Sequence, residues 1–438
     1  MSVRWLTYLV ISLALLGCAQ AENNAPAPTT EKDAPAAAAD NAAAAPEATP
    51  VSTQAEPKAQ TEPNPESPHN KLTADEIADG LIALFDGHSL FGWKPYSKAN
   101  WEVKDDAIHV SEGEPGLLCT TVQFSDFELS VDFLAEENTN SGIFLRTPTV
   151  AGPDSLATEV YELNIAPDDN PFPTGSLVKR AKAEGVEPKA GWRTFHVTVD
   201  GPRVVVKLDS QEVVNYEDPN QLGRGYIGLQ LNSGPVSFRN IKLKPLNLKP
   251  LLEGEELTEW QTVEGSKDFE AVTDSEGVLS ITGGKGALES KEQYGDFVAQ
   301  LQCRTNAENL NSGLFFRCIP GDMMNGYESQ IHNGFKDGDR TKPVDHGTGA
   351  IFRRVQARRV VANDQEWFSK TIVADGPNIS VWVNGYQVTA WTDDRQPHDN
   401  PRNGLRTQPG TLQIQGHDPT TSLSFRKIQA AESRDRAK

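Results

Sequence analysis

The chain of 438 residues carries 61 acidic and 41 basic side chains, a formal net charge of −20. That sign argues against nucleic acid as a partner, because phosphate recognition needs a basic face. At this length more than one ordinary core fits, and the three cysteines beyond Cys18 are an odd number, which gives no disulfide framework.

Residues 1–17 hold one positive charge, Arg4, and an apolar run from Leu6 to Leu16 that ends in Leu15-Leu16-Gly17-Cys18. The run is too short to span a bilayer and reads as a secretory signal over residues 1–18. Its last four residues resemble the lipobox of bacterial lipoproteins. The resemblance implies lipid attachment at Cys18, a cell-envelope location in the periplasm or at the outer membrane, and a membrane contact made through the anchor alone. Residues 19–80 are rich in Ala, Pro, Glu, Thr and Asn, with eleven acidic against three basic side chains. Such a segment buries too little to offset its ordering entropy, so it is expected to be a disordered tether.

Two domains follow, at 81–246 and 250–430. Short runs rich in Val, Ile, Phe, Leu and Thr are punctuated by DG, NG, NSG and GRG turn signals, and no long segment has helical periodicity. Val204, Val206 and Leu208 alternate with Val205, Lys207 and Asp209; Ile379, Val381 and Val383 alternate with Ser380, Trp382 and Asn384. One apolar and one polar face per strand suits antiparallel sheets packed as a sandwich, so the expected fold class is all-β, with a jelly-roll β-sandwich in each half. Trp93 and Trp260 are expected as core anchors. Cys119, Cys303 and Cys318 lie in apolar strand contexts, where a thiol acts as a small hydrophobe.

The halves are copies. NSGIFLR at 140–146 returns as NSGLFFR at 311–317, and VYELNI at 160–165 as GYESQI at 326–331; TGSL, at 174–177, returns as TGAI at 348–351, and VSFRNI, at 236–241, as LSFRKI at 423–428. Strand alternation sets Glu328, Gln330 and His332 on one face and Tyr327, Ser329 and Ile331 on the other. Gln413, Gln415 and His417 share a face in the same way. A hairpin turning near Glu308 and Asn309 adds Gln300 opposite Arg317 and Gln302 opposite Phe315. A sheet face so rich in amides and imidazoles suits a polyol, whose buried hydroxyls all need partners. A solvated sheet face is the plain alternative.

LFDGHSLFGWK at 84–94, the paired NSG and YE segments, TGSL/TGAI, the strands after Trp192 and Trp367, GLQL at 228–231 and SFRNI together resemble the 3-keto-disaccharide hydrolase family, also described as 3-keto-glucoside lyases and hydratases. The resemblance spans both domains. It implies a concanavalin A-like sandwich in each and action on glycosides oxidised to a ketone at carbon 3. Such a ketone acidifies the C2 hydrogen, so a base removes it, the C1 substituent leaves, and water adds to the resulting glucal. Glu328 or His332 is then the candidate base, His417 the acid, and Arg317 the enolate stabiliser or sugar clamp. Arg353, Arg354, Asp345 and His346 are reserves. Gln330, Gln415, Arg353 and Trp382 are candidate sugar contacts, with Trp382 as a stacking platform or as packing between domains.

In the first domain Arg146, Glu162, Asn164 and Gln230 occupy the matching positions, but His332 becomes Ala166 and His417 falls near Asn232. Two readings follow, both copies active with Glu as the common base, or sugar binding in the first and chemistry in the second; imidazoles suit proton transfer near neutral pH, which favours the latter. One Glu per domain fits poorly with a paired-carboxylate glycosidase. Loop carboxylates such as Asp337 and Asp339 leave room for Ca2+, and nothing else calls for a metal or cofactor. A non-catalytic carbohydrate-binding or adhesion protein is the competing reading, and a structural envelope protein a third.

Overall fold

The computed structural model describes residues 67–148, 158–187, 189–254 and 256–435. The signal segment, Cys18 and most of the proposed tether lie outside them. No helix among the described residues is long and apolar enough to cross a membrane.

Both domains are β-sandwiches, and the only helix among the described residues is the short Ala74–Ala78. Among the described residues each has thirteen strands, eight in a larger sheet and five in a smaller one, in the same order in both copies. In the second domain the smaller sheet runs Trp260–Thr262, Gly286–Tyr294, Gly410–Gly416, Ser312–Cys318, Tyr327–Ile331. Its larger sheet runs Phe269–Thr273, Leu279–Gly283, Thr421–Glu432, Phe297–Thr305, Phe368–Asp375, Asn378–Val383, Tyr386–Thr392, with Lys249–Pro250 paired to Thr421–Glu432. Every neighbouring pair is antiparallel, which lets alternate residues fill the space between the sheets.

The alternation seen in the sequence is the one that packs. Val204, Val206 and Leu208 are buried, while Lys207 points out. Trp93 and Trp260 hold equivalent core places, each indole donating to a carbonyl nine residues earlier, Leu84 O at 2.6 Å and Leu251 O at 2.5 Å. Cys119, Cys303 and Cys318 are buried free thiols.

Two expectations are corrected and one open alternative is decided. Residues 67–80, assigned to the tether, are held against the folded part. Thr73 and Glu76 form a reciprocal capping box on the short helix. The carbonyl of Gly80 accepts from Gln300 Nε2 at 2.7 Å, and Asn70 and Asn240 exchange two backbone-to-side-chain bonds. Hydrogen bonding rather than apolar burial orders this stretch, so its composition gave no sign of it. Second, Phe297–Thr305 and Ser312–Cys318 belong to different sheets, not to one hairpin. Gln300 and Gln302 therefore lie away from Arg317 and Phe315. Third, Trp382 is packing between the domains. It is 1% exposed, its indole donates to Ala83 O at 2.9 Å, and its ring lies 6.5 Å from that of Phe124. Gln123 to Asp375 (3.0 Å) and Arg358 to Asp86 (2.8 Å) tie the domains further.

Candidate functional site

The smaller sheet of the second domain builds its outer face row by row. Gln261 stands opposite Glu289, Glu289 opposite Gln413, Gln413 opposite Phe315 and Phe315 opposite Glu328. One step along, Gly313 lies opposite Gln330, and the pairing of Leu314 with Ile414 sets Gly313 beside Gln415. Tyr327, Ile331, Leu314, Phe316, Leu412 and Ile414 fill the core beneath. The glycine is needed here. A Cβ on Gly313 would lie 2.9 Å from Cγ and 3.0 Å from Oε1 of Glu328, so only glycine lets that carboxylate lie across the strand.

Glu328 is the electrostatic centre of this face. Burial pushes its carboxyl up to about 7, against the opposing pull of Arg402, Lys370 and His417, while Asp345 adds to the rise. Arg402 Nη2 lies 3.5 Å from Glu328 Oε2, and its guanidinium sits 5.1 Å from the centre of the Phe315 ring. Gln330 donates to Asp345 Oδ2 at 2.8 Å, which also accepts from Asn311 at 2.6 Å. The side-chain carbonyl oxygens of Gln330 and Gln415 are buried without a donor. Two orphaned acceptors beside an open glycine row match the hydroxyl donors of a sugar.

The imidazoles differ in setting. His332 is buried, and its Nδ1 accepts from Gly334 N at 3.2 Å, which makes Nε2 the N–H side of the neutral ring. His417 is exposed at the strand end, with Nδ1 2.8 Å from Asp418 Oδ2. Hydrogen bonds from Thr420 and His417 hold the Asp418 carboxyl down at about 2. Asp345 and His346 take consecutive left-handed backbone angles, φ +46° and +69°, the kind of strain that gathers at functional sites. Arg353 and Arg354 are exposed; Arg354 donates to Arg402 O at 2.6 Å, beside the site rather than in it.

Arg317 is not part of this face. Its alternation breaks at a bulge, where its φ is +50°, and the side chain turns into the end of the sandwich with 0% exposure. There it donates to Gly295 O (2.8 Å), Gly376 O (2.7 Å), Arg406 O (3.0 Å) and Asp296 Oδ1 (2.8 Å). Arg146 repeats the arrangement, with the same φ, on Ser125 O, Gly201 O, Leu222 O and Asp126. Both arginines are structural clamps, and neither has a donor free for an enolate.

One group missed in the sequence belongs to the site, Arg402, and Asp345, a reserve in the sequence, joins it as the partner of Gln330. Glu289 and Gln413 share the face but serve structure. Glu289 accepts from Thr411, Gly321, Gln261 and Gln413, which holds its carboxyl below the usual range despite burial. Gln413 in turn accepts from Met324 N at 2.7 Å, so the pair pins the 319–326 loop whose Met324 carbonyl accepts from Arg402. Asp337 and Asp339 both face Lys342, at 3.8 and 3.5 Å. Among the described residues no cluster of three or more His, Cys, Asp or Glu side chains is placed to hold a metal ion.

The first domain has a reduced version. Its matching row is Lys94, Cys119, Gly228, Phe144 and Glu162, with Gly142 opposite Asn164 in the next. Burial again pushes the Glu162 carboxyl up to about 7, opposed by Gln230 and Lys179. Asn164 is committed to Phe172 O, and the loop over the row, 218–225, is about half the length of the 393–409 loop that carries Arg402.

The model of the 3-keto-alpha-glucoside-1,2-lyase-like domain matches residues 80–244 and, a second time, residues 247–431. The chain belongs to this family, in two tandem copies. Among relatives of this 3-keto-alpha-glucoside-1,2-lyase-like chain, a 3-keto-disaccharide hydrolase of Bacteroides thetaiotaomicron is 26% identical, with 39% of this chain and 80% of that protein covered. A solved structure from Parabacteroides distasonis, assigned as a glycosyl hydrolase, is 22% identical, with 41% of this chain and 100% of that one covered and a TM-score of 0.36. The carbohydrate binding module CBM66 of Bacillus subtilis is 13% identical, with 40% and 96% covered and a TM-score of 0.29.

Proposed function

We propose that the protein cleaves 3-keto-glycosides by elimination and hydration at the second domain. The observation that carries the reading is Glu328: a buried carboxyl raised to about 7, set on a glycine-opened row beside one arginine and two unpaired amide oxygens. A carboxylate of that basicity suits removal of a C2 hydrogen acidified by the neighbouring ketone. Arg402 is the group for the developing enolate oxygen at C3. His417, oriented by Asp418, protonates the leaving oxygen at C1. The C2–H and C1–O bonds break, a C1–C2 double bond forms, and water then returns a hydroxyl to C1 and a hydrogen to C2. Gln330 and Gln415 accept sugar hydroxyls, with His332 and the exposed Arg353 at the rim.

Glu162, Gly142 and Gln230 keep the binding frame in the first domain without an equivalent of Arg402 or His417, which supports sugar binding there without turnover. We further propose that the signal segment and Cys18 place both domains on a lipid anchor at the cell envelope. The test is incubation of the protein with a 3-keto-glucoside, following aglycone release. Turnover supports the enzyme; saturable binding without release supports a carbohydrate-binding protein instead.

A further inference from the structure

Behind the strand that presents Glu328 lies a lysine out of contact with solvent. Lys370, on Phe368–Asp375 of the larger sheet, is 0% exposed. Its Nζ donates to Ser329 O at 2.6 Å and Gln330 O at 3.0 Å. Both acceptors are backbone carbonyls on the Glu328 strand, so the ammonium crosses the core to reach the back of the site.

The first domain shows that the fold does not need a charge there. Lys370 pairs with Leu301 as Phe195 pairs with Val131, and Cys303 pairs with Phe368 as Phe133 pairs with Arg193. Phe133 and Phe195 stack at 4.7 Å, an ordinary core contact. Exchanging that pair for Cys303 and Lys370 gives up apolar packing and buries a cation, a costly change unless the charge serves a purpose.

We propose that Lys370 is a positioning residue of the second site: it fixes the strand presenting Glu328 and Gln330, and its charge behind the sheet favours the ionised carboxylate that takes the C2 proton. This rests on Glu328 acting as the base. Glu328 is faced by Arg402 from the 393–409 loop, Asp345 from the 332–350 loop, His417 beyond Gly416, and Lys370 from behind. Arg402, Lys370 and His417 favour its ionised form; Asp345 and burial oppose it. Lys370 itself faces Cys303 and Glu328, and burial brings its ammonium down to about 7. Carboxyl and ammonium therefore change charge in the same pH range.

The test uses the full chain with Lys370→Met, and with Lys370→Phe combined with Cys303→Phe, which rebuilds the first domain's aromatic pair. Infrared difference spectra against Glu328→Gln report the Glu328 carboxyl directly and need no substrate. In both variants it titrates about one pH unit higher than in the wild type. The acid limb of kcat/KM moves up by the same amount, so kcat/KM at pH 6 falls about tenfold. Variants that fold, by circular dichroism and a cooperative melt, yet show an unmoved carboxyl titration would overturn the proposal. So would loss of folding in both, which makes Lys370 a structural element only. If the wild type turns over no 3-keto-glucoside, the catalytic reading falls, and the infrared titration still reports whether Lys370 governs Glu328.

Discussion

Arg402 and Glu328 approach to 3.5 Å across the face of Phe315, although 74 residues separate them in the chain. The loop that brings Arg402 there is itself pinned, through Met324 O and through Asn400, which donates to Asn325 Oδ1 at 3.0 Å. A cation held this firmly over a raised carboxyl serves both the base and a developing oxyanion. Arg402→Met should lower kcat/KM by about 10²–10³, the usual loss for one donor to a developing oxyanion. It should also move the acid limb of the pH profile upward, since Arg402 opposes the rise of the Glu328 carboxyl. Kinetics across pH 5–9 check both effects.

Arg317 should behave differently. Removing it takes the guanidinium donor from three carbonyls inside the sandwich end and from Asp296, which keeps Gly376 N and Arg224. Arg317→Met and Arg146→Met should each destabilise their own domain by roughly 2–4 kcal/mol, the cost of leaving buried carbonyls without a donor. Urea unfolding measures this. A folded, stable Arg317→Met protein that has lost only turnover would return Arg317 to the site.

The two raised glutamates make a prediction about stability. A group whose folded value lies above its unfolded value contributes stability that is full below the unfolded value and lost as pH rises through the folded one. Glu162 and Glu328 both move from 4.5 to about 7, so the loss runs from about pH 4.5 to 7. Glu162→Gln and Glu328→Gln should match the wild type at pH 4 and exceed it at pH 8 by ~1–3 kcal/mol each. Denaturant melts at the two pH values decide the matter.

Trp382 is an apolar part of a contact between domains that Gln123–Asp375 and Arg358–Asp86 also tie. Trp382→Ala should cost about 3–5 kcal/mol, as for other large buried aromatics. Because the indole touches the first domain at Ala83 and Phe124, calorimetry should show one unfolding transition separating into two. A sugar-stacking role would instead leave the melt unchanged and raise KM.

Much of this was legible in the chain because a period of two survives any tertiary arrangement. Glu328, Gln330 and Gln415 share one face in the structure as their alternation requires, and the repeat located the same frame at Glu162 and Gln230. Arg146 and Arg317 misled because both copies keep them, and a repeated residue is explained equally well by structure. Only the left-handed backbone at each turns the side chain away, and that is invisible to alternation. Arg402 lies in a loop, where no periodicity exists to read, and Asp345, also in a loop, stands out only as a neighbour of TGAI. The one available signal was length, since the 393–409 loop has no counterpart of its size in the first domain. Gln300 and Gln302 depart from the hairpin expectation because, between these two successive strands, the chain crosses from one sheet to the other.

The central claim is that Glu328 removes a proton from C2 before the C1 bond breaks. The measurement that tests it most directly is turnover of a 3-keto-glucoside in deuterated water, with the product read by NMR for the wild type, Glu162→Gln and Glu328→Gln. The account predicts deuterium at C2 with aglycone release in the wild type and in Glu162→Gln, and neither in Glu328→Gln. Aglycone release with hydrogen retained at C2, or undiminished turnover by Glu328→Gln, would contradict it.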